Sequence, residues 1–317
     1  MLNSRRSVLA VPASSRKMVE KALNLQVDQV FLDLEDAVAP EAKNEARELI
    51  QKTFDWLAVE NKRFTAGAVS IRVNGSETSW LGDDLALLSG GVGKHIDSII
   101  LPKVGTIEEI KWFSNELSKV ELDCGINEGS ISIDVQIETA KGLVNVESIA
   151  HGPRVSSIAF GPVDFMADLG MPLSDESSQA ASSETSGMFN YPLMKILVAA
   201  RAAGIKAIDG PILDVHDVEK FRISAIRAQS MGFDGKWVLH PSQIATCNEI
   251  FTPTQDAFDF ACMLIQAYEF YTGTSGGAKG AVIYEGIMID EASCKLAKGV
   301  QARGLSGGLL ARKVFNG

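Results

Sequence analysis

A chain of 317 residues with 46% apolar and 22% charged residues has the make-up of a folded protein with a large core, which excludes a mainly disordered chain. A formal net charge of −10 excludes the broad basic surface of a nucleic-acid binder, so an anionic ligand has to be met locally. Cys124, Cys247, Cys262 and Cys294 form no Cys-x-x-Cys pair, which argues against a zinc knuckle or a dithiol motif and for ordinary thiols in a reducing compartment.

The chain opens with Arg5 and Arg6 ahead of Ser7 to Pro12, a β-rich run that is too short and too soon broken by proline for a signal-peptide core. No window of about 20 apolar residues follows, so the expectation is a cytoplasmic protein with no membrane partner. Further short β-rich runs fall at Gln29 to Leu34, Ala68 to Val73, Ser98 to Leu101, Ser132 to Ile137, Ser157 to Phe160, Ala207 to Ile212 and Lys236 to Leu239. Helical periodicity separates them, as in Met18 to Leu25, Glu41 to Leu57 and Ile107 to Val120. Eight such units in succession predict parallel strands closed into an α/β, (β/α)8 TIM barrel over residues 1–252. A helix at Thr254 to Tyr271, a glycine-rich linker from Thr272 to Gly280 and a lid helix from about Asp290 then make up a C-terminal extension, residues 253–317. No Gly-x-Gly-x-x-Gly follows an early strand, and neither a Walker motif nor a Gly-x-Ser-x-Gly elbow is present.

In a barrel of this kind chemistry sits where the strands end, so polar residues there are the candidates. The second run ends in three acids, Asp33, Glu35 and Asp36, the third in Arg72 and Asn74, the fourth in Lys103, the fifth in Gln136 and Glu138 and the sixth in Gly161, Pro162 and Asp164. Glu138 and Asp164 lie one βα unit apart and face one mouth, an arrangement for a hard divalent ion such as Mg2+; the alternative is that Asp164 caps the helix after it. Arg72 carries a planar fork suited to a substrate carboxylate and can also neutralise Glu35 and Asp36. A salt bridge to a nearby acid is the simplest reading of Lys103. The cations Arg5, Arg6, Arg16 and Lys17 form either a local site for a phosphate-bearing ligand or a solvated face. His240, at a strand end and followed by Pro241 and Ser242, reads as the organiser of a turn, with a catalytic role the alternative.

Taken together, Arg6-Ser7-Val8-Leu9, Leu32-Asp33-Leu34-Glu35-Asp36-Ala37-Val38, Ile71-Arg72-Val73-Asn74, Leu101-Pro102-Lys103-Val104, Ile137-Glu138-Thr139-Ala140, Gly161 with Asp164, and His240-Pro241-Ser242-Gln243 resemble the citrate lyase beta-subunit-like proteins of the HpcH/HpaI aldolase superfamily. The resemblance implies a magnesium-dependent carbon-carbon lyase that cleaves or forms a 3-hydroxyacyl-CoA such as malyl-CoA, β-methylmalyl-CoA or citramalyl-CoA. The products would be acetyl- or acyl-CoA and a 2-oxo acid, glyoxylate or pyruvate. It further implies a metal on Glu138 and Asp164 and a substrate site of Arg72, Glu35, Asp36 and Pro162. The coenzyme A phosphates would meet Arg6, Arg16 and Lys17, and Asp290 would be a catalytic acid delivered by the lid, with the chain assembled as a homotrimer or a dimer of trimers. The sequence departs from the family pattern at Val163, where an acid is common, at Ala13-Ser14-Ser15 after the first strand, and at Glu291, a second acid beside Asp290. Two rival activities share this pattern, a malyl-CoA thioesterase and a carrier-dependent citrate lyase beta-type subunit.

Overall fold

The computed structural model of the chain describes residues 4–171 and 187–315. All eight expected strands are present: β1 (Ser7–Pro12), β2 (Gln29–Asp33), β3 (Ala68–Arg72), β4 (Ser98–Leu101), β5 (Ser132–Ile137), β6 (Val155–Phe160), β7 (Lys206–Asp209) and β8 (Gly235–Val238). Each pairs in parallel with the next, and β1 returns to β8 through Val8 opposite Trp237 and Leu9 opposite Val238, so the sheet is a closed barrel. Closure was undetermined by alternation alone, and the β1 to β8 ladder settles it.

The crossovers are α1 (Arg16–Ala22), α2 (Lys43–Val59), α3 (Leu81–Ser89), α4 (Ile107–Cys124), α5 (Ala140–Val144), α6 (Val146–Ala150), α7 (Pro162–Asp168), α8 (Asn190–Ala203) and α9 (Val218–Met231), with α10 (Ile244–Phe251) after the last strand. Helix α4 shows why they form. Ile110, Phe113, Leu117 and Val120 recur at helical spacing and are buried, Thr106 caps the start by accepting from the Glu109 N–H, and Gly125 ends it at φ +67°.

Strand β2 shows how the barrel interior is layered, because alternate residues of a strand share a face. Gln29 donates to Ser70 and to Asp134, and Ser98, Ser157 and Arg5 also converge on Asp134, making a polar floor where the strands begin. Two residues on, Phe31 packs with Val8, Ile100, Ala159, Ile208 and Trp237 in an apolar middle layer. Two further on, Asp33 opens the charged mouth. Burial holds the Asp134 carboxyl up and is outweighed by Arg5 and the serine hydroxyls, so it stays below the usual carboxylate range.

The described residues divide into two compact units between Cys247 and Asn248. The second contains α11 (Gln255–Thr272), a hairpin of β9 (Val282–Tyr284) and β10 (Ile287–Ile289), and α12 (Glu291–Ser306). Ala261, Leu264, Ile265, Ala267, Ile289, Cys294 and Ala297 form its core. A side chain at Gly304 would collide with the Phe258 ring, so glycine is what lets α12 approach α11. The run expected as a plain linker holds a 3-10 turn, Thr274–Gly276, and a two-stranded hairpin lies between it and the lid helix. No helix among the described residues is long and apolar enough to cross a membrane.

Candidate active site

Arg72 ends β3 with its side chain pointing inward, 9% exposed, above the rings of Phe31 and Trp237 at 5.8 and 5.6 Å. Its Nε and Nη2 donate to the two oxygens of Asp33 at 2.7 and 2.6 Å. Its Nη1 reaches Gln136 Oε1 and Glu35 Oε2, each at 3.2 Å. The expected partners of this arginine were Glu35 and Asp36. Glu35 is one of them, but the two-pronged contact goes to Asp33, which faces inward on the neighbouring strand, while Asp36 lies beyond the strand end and pairs with Lys103. Asp33 also accepts the Glu35 and Ala37 N–H groups and so shapes the turn that carries the other two acids. From α2, buried Lys43 donates to the carbonyls of Leu34 and Glu35 and holds that turn from outside. Burial raises the Glu35 carboxyl above its ordinary range against the opposing charge of Arg72 and the hydrogen bond of Lys103.

Glu138 follows β5 and is fully buried. The Lys103 N–H donates to its Oε1 at 2.8 Å, and the Gln136 amide donates to its Oε2. Gly161 makes the room: a Cβ there would meet both the Glu138 carboxylate and the Gln136 amide. Asp164 is the third residue of α7, behind Gly161 as N-cap and Pro162 at the first position, so it is not the helix cap that the sequence left open. Its Oδ1 lies 3.5 Å from Lys103 Nζ, which also contacts Glu35 and, at 3.3 Å, Asp36. Burial, and then the charge of Asp164, push the Glu138 carboxyl up to about 8.

Five carboxylates, Asp33, Glu35, Asp36, Glu138 and Asp164, thus meet two cations, Arg72 and Lys103. An excess of hard, negatively charged oxygen around a buried acid held protonated is what a divalent cation relieves. No group of three or more His, Cys, Asp or Glu that could hold an ion stands together among the described residues. Glu138 and Asp164, whose charges bear on each other, are the acids that could hold such an ion.

Other sequence candidates lie elsewhere. Arg6 precedes β1 and is paired with Asp28, whereas Arg16 and Lys17 follow it on α1, with Arg16 paired to Glu20. A six-residue strand, about 20 Å, separates them. They do not form one cluster, and Arg5 is turned to Asp134 in the barrel floor, which corrects the reading of the four N-terminal cations as a unit. Pro162 is at the mouth, packed against Gly210 at the end of β7. Asp290 belongs to the second unit, where it caps α12 by accepting the Ser293 N–H and hydroxyl; the N–H bond first, then the hydroxyl, hold its carboxyl below the usual range. Glu291 pairs with Lys295 one turn on. His240 organises its turn, accepting the Ser242 N–H while Gln243 accepts the His240 N–H.

The sequence placed Asp33, Gln136 and Gly161 at strand ends but gave them no role, and it did not single out Lys43. A polar residue at an inward position of an otherwise apolar strand was the available signal for Asp33 and Gln136. None marked the space that Gly161 leaves for Glu138, or Lys43 at all.

A sequence profile described as HpcH/HpaI aldolase/citrate lyase matches residues 6–241. The L-malyl-CoA/beta-methylmalyl-CoA lyase of Rhodobacter capsulatus is 34% identical over 300 residues, 90% of each chain. The mitochondrial citramalyl-CoA lyase of Rattus norvegicus is 34% identical over 308 residues, 93% of this chain and 85% of that one. Among solved structures, CitE from Mycobacterium tuberculosis in complex with magnesium and pyruvate is 26% identical, with a TM-score of 0.62 over 80% of this chain and 92% of that one. With the profile spanning the whole barrel and two relatives matched nearly end to end, the chain belongs to the HpcH/HpaI aldolase/citrate lyase family.

Proposed function

We propose that the chain is a magnesium-dependent acyl-CoA lyase that cleaves or forms a 3-hydroxyacyl-CoA, of the malyl-CoA, β-methylmalyl-CoA or citramalyl-CoA type, with glyoxylate or pyruvate as the 2-oxo acid. The names of the relatives support the substrate class. The observation that carries the reading is the placement of Glu138 and Asp164 beside Arg72 in a mouth with more carboxylates than cations. The ion, on Glu138 and Asp164, would polarise the keto oxygen of the 2-oxo acid. Arg72, already oriented by Asp33, would turn Nη1 from Glu35 to the substrate oxygen that gains charge as the carbon-carbon bond forms. Glu35, Asp36 and Pro162 would line the same substrate.

In cleavage a base takes the hydroxyl proton, the carbon-carbon bond breaks toward the thioester, and the resulting enolate is protonated at carbon. We assign that last transfer to Asp290, with Glu291 as the neighbouring alternative. Arg16 and Lys17 would receive the coenzyme A phosphates, and assembly as a homotrimer or dimer of trimers belongs to the same reading. Incubation with Mg2+ and malyl-CoA or citramalyl-CoA, with products identified by mass spectrometry, tests it. A 2-oxo acid with acetyl-CoA supports the lyase, whereas free coenzyme A with the hydroxy acid would replace it by a thioesterase. No turnover would favour a carrier-dependent subunit.

A further inference from the structure

Lys103 joins both halves of this mouth through two different parts of one residue. Its φ is +54°, in the left-handed region that residues with a Cβ seldom enter. That backbone turns its N–H onto Glu138 Oε1 and sends its side chain to Glu35, Asp36 and Asp164. The side chain is 39% exposed where that of Arg72 is 9% exposed, so Lys103 is the mouth cation that an incoming anion meets first. It is also the only one of the two that contacts Asp164 among the described ion pairs.

We propose that Lys103 sets metal and substrate affinity against each other: its ammonium competes with the divalent cation for Asp164 and, once displaced from that carboxylate, anchors an anionic oxygen of the 2-oxo acid. This rests on the proposed metal site. Its signature is a pair of opposite changes. Without the ammonium the mouth is more negative, so a divalent cation binds more tightly and an anion binds more weakly. A residue that merely held the fold together would, when replaced, weaken both.

The test uses the full chain, with Mn2+ binding followed by electron paramagnetic resonance and pyruvate binding by calorimetry at saturating Mn2+. Lys103→Met should tighten Mn2+ binding and weaken pyruvate binding, each by about threefold to tenfold, as expected for one charge at a partly exposed site. Lys103→Arg, which keeps the charge, should return both toward wild type, and Lys103→Gln supplies the neutral variant if Lys103→Met does not fold. Shifts of the same sign, or none, in a wild-type chain that binds Mn2+ overturn this inference and leave the metal site standing. A wild-type chain that binds no Mn2+ overturns both.

Discussion

Arg72 serves its neighbours with one edge and faces the mouth with another, so changing it tests two things at once. Arg72→Ala leaves Asp33 buried without its partner and should cost about 3–5 kcal/mol in urea unfolding. Arg72→Lys keeps the charge but cannot span both oxygens of Asp33 and still reach Gln136. It should fall between alanine and wild type in stability yet lose nearly as much kcat/KM for the 2-oxo acid as alanine does, and near-wild-type turnover in the lysine variant would sink this. Glu138 predicts a pH dependence. Its folded-state value of about 8 lies above the ordinary 4.5, so its contribution to metal-free stability is complete below about pH 4.5 and is lost as pH rises through 8. Glu138→Gln should flatten that decline, and Mg2+ affinity in the parent chain should climb over the same window because a metal needs the carboxylate. Parallel melting curves for both chains across the window would contradict it. Gly161→Ala is a third probe: its φ of −103° suits alanine, but the added methyl meets Glu138 and Gln136. Circular dichroism should be unchanged while Mg2+ binding, followed by calorimetry, weakens about tenfold or more; unchanged affinity would show that the carboxylate is not a ligand.

Helix α2 braces the mouth from outside. Lys43 and Arg47 lie one turn apart on its buried face. Lys43 holds the Leu34 and Glu35 carbonyls, and Arg47 holds Asp84, which in turn accepts the N–H and amide of Asn74 after β3. Lys43→Met fills similar space without donors, so it should cost about 1–3 kcal/mol in thermal or urea unfolding by leaving buried carbonyls unpaired. A loss below a few tenths of a kcal/mol would mean that water replaces the amine. This brace was not legible in the sequence, because Lys43 reads as one more polar residue on an amphipathic helix, and its partners are backbone atoms with no signature of their own. The strands were legible to within two or three residues, since apolar runs bounded by turns and spaced by helical periodicity leave few other arrangements. The acids and cations at their ends were legible for the same reason, as barrel topology gathers strand ends in one place. Pairing between them was not. Which acid takes Arg72 depends on which residues of β2 and β3 face inward in register, and Asp33 is opposite Arg72 in a ladder that the sequence does not write down. Arg6 was grouped with Arg16 because ten positions are close in sequence, yet a strand runs between them.

At the scale of the whole molecule, the proposed role of Asp290, which lies outside the barrel unit, makes two predictions. Asp290→Asn should retain ligand binding and lose most exchange of the acetyl-CoA methyl proton, since the amide keeps the shape but is no base. If the residue serves a neighbouring chain, mixing Asp290→Asn with Glu138→Gln chains should restore part of the activity after subunit exchange, because some sites then hold both intact residues. No recovery despite proven mixing places Asp290 in its own chain's site, and full activity of Asp290→Asn alone moves the base to Glu291. The alternation of β2 bears on a different property, the tolerance of this gene product to insertions and deletions. Gln29, Phe31 and Asp33 enter the polar floor, the apolar layer and the charged mouth in turn. One residue added or removed between Gln29 and Asp33 would turn part of this set toward the helices, so at least one layer would lose its member while an apolar residue faced Asp134 or Arg72. The same change among Ala278 to Ala281, where no strand or helix is assigned, disturbs no barrel layer. A scan of single-codon deletions should therefore find β2 among the least forgiving stretches of the chain, for reasons that no single substitution in it would reveal.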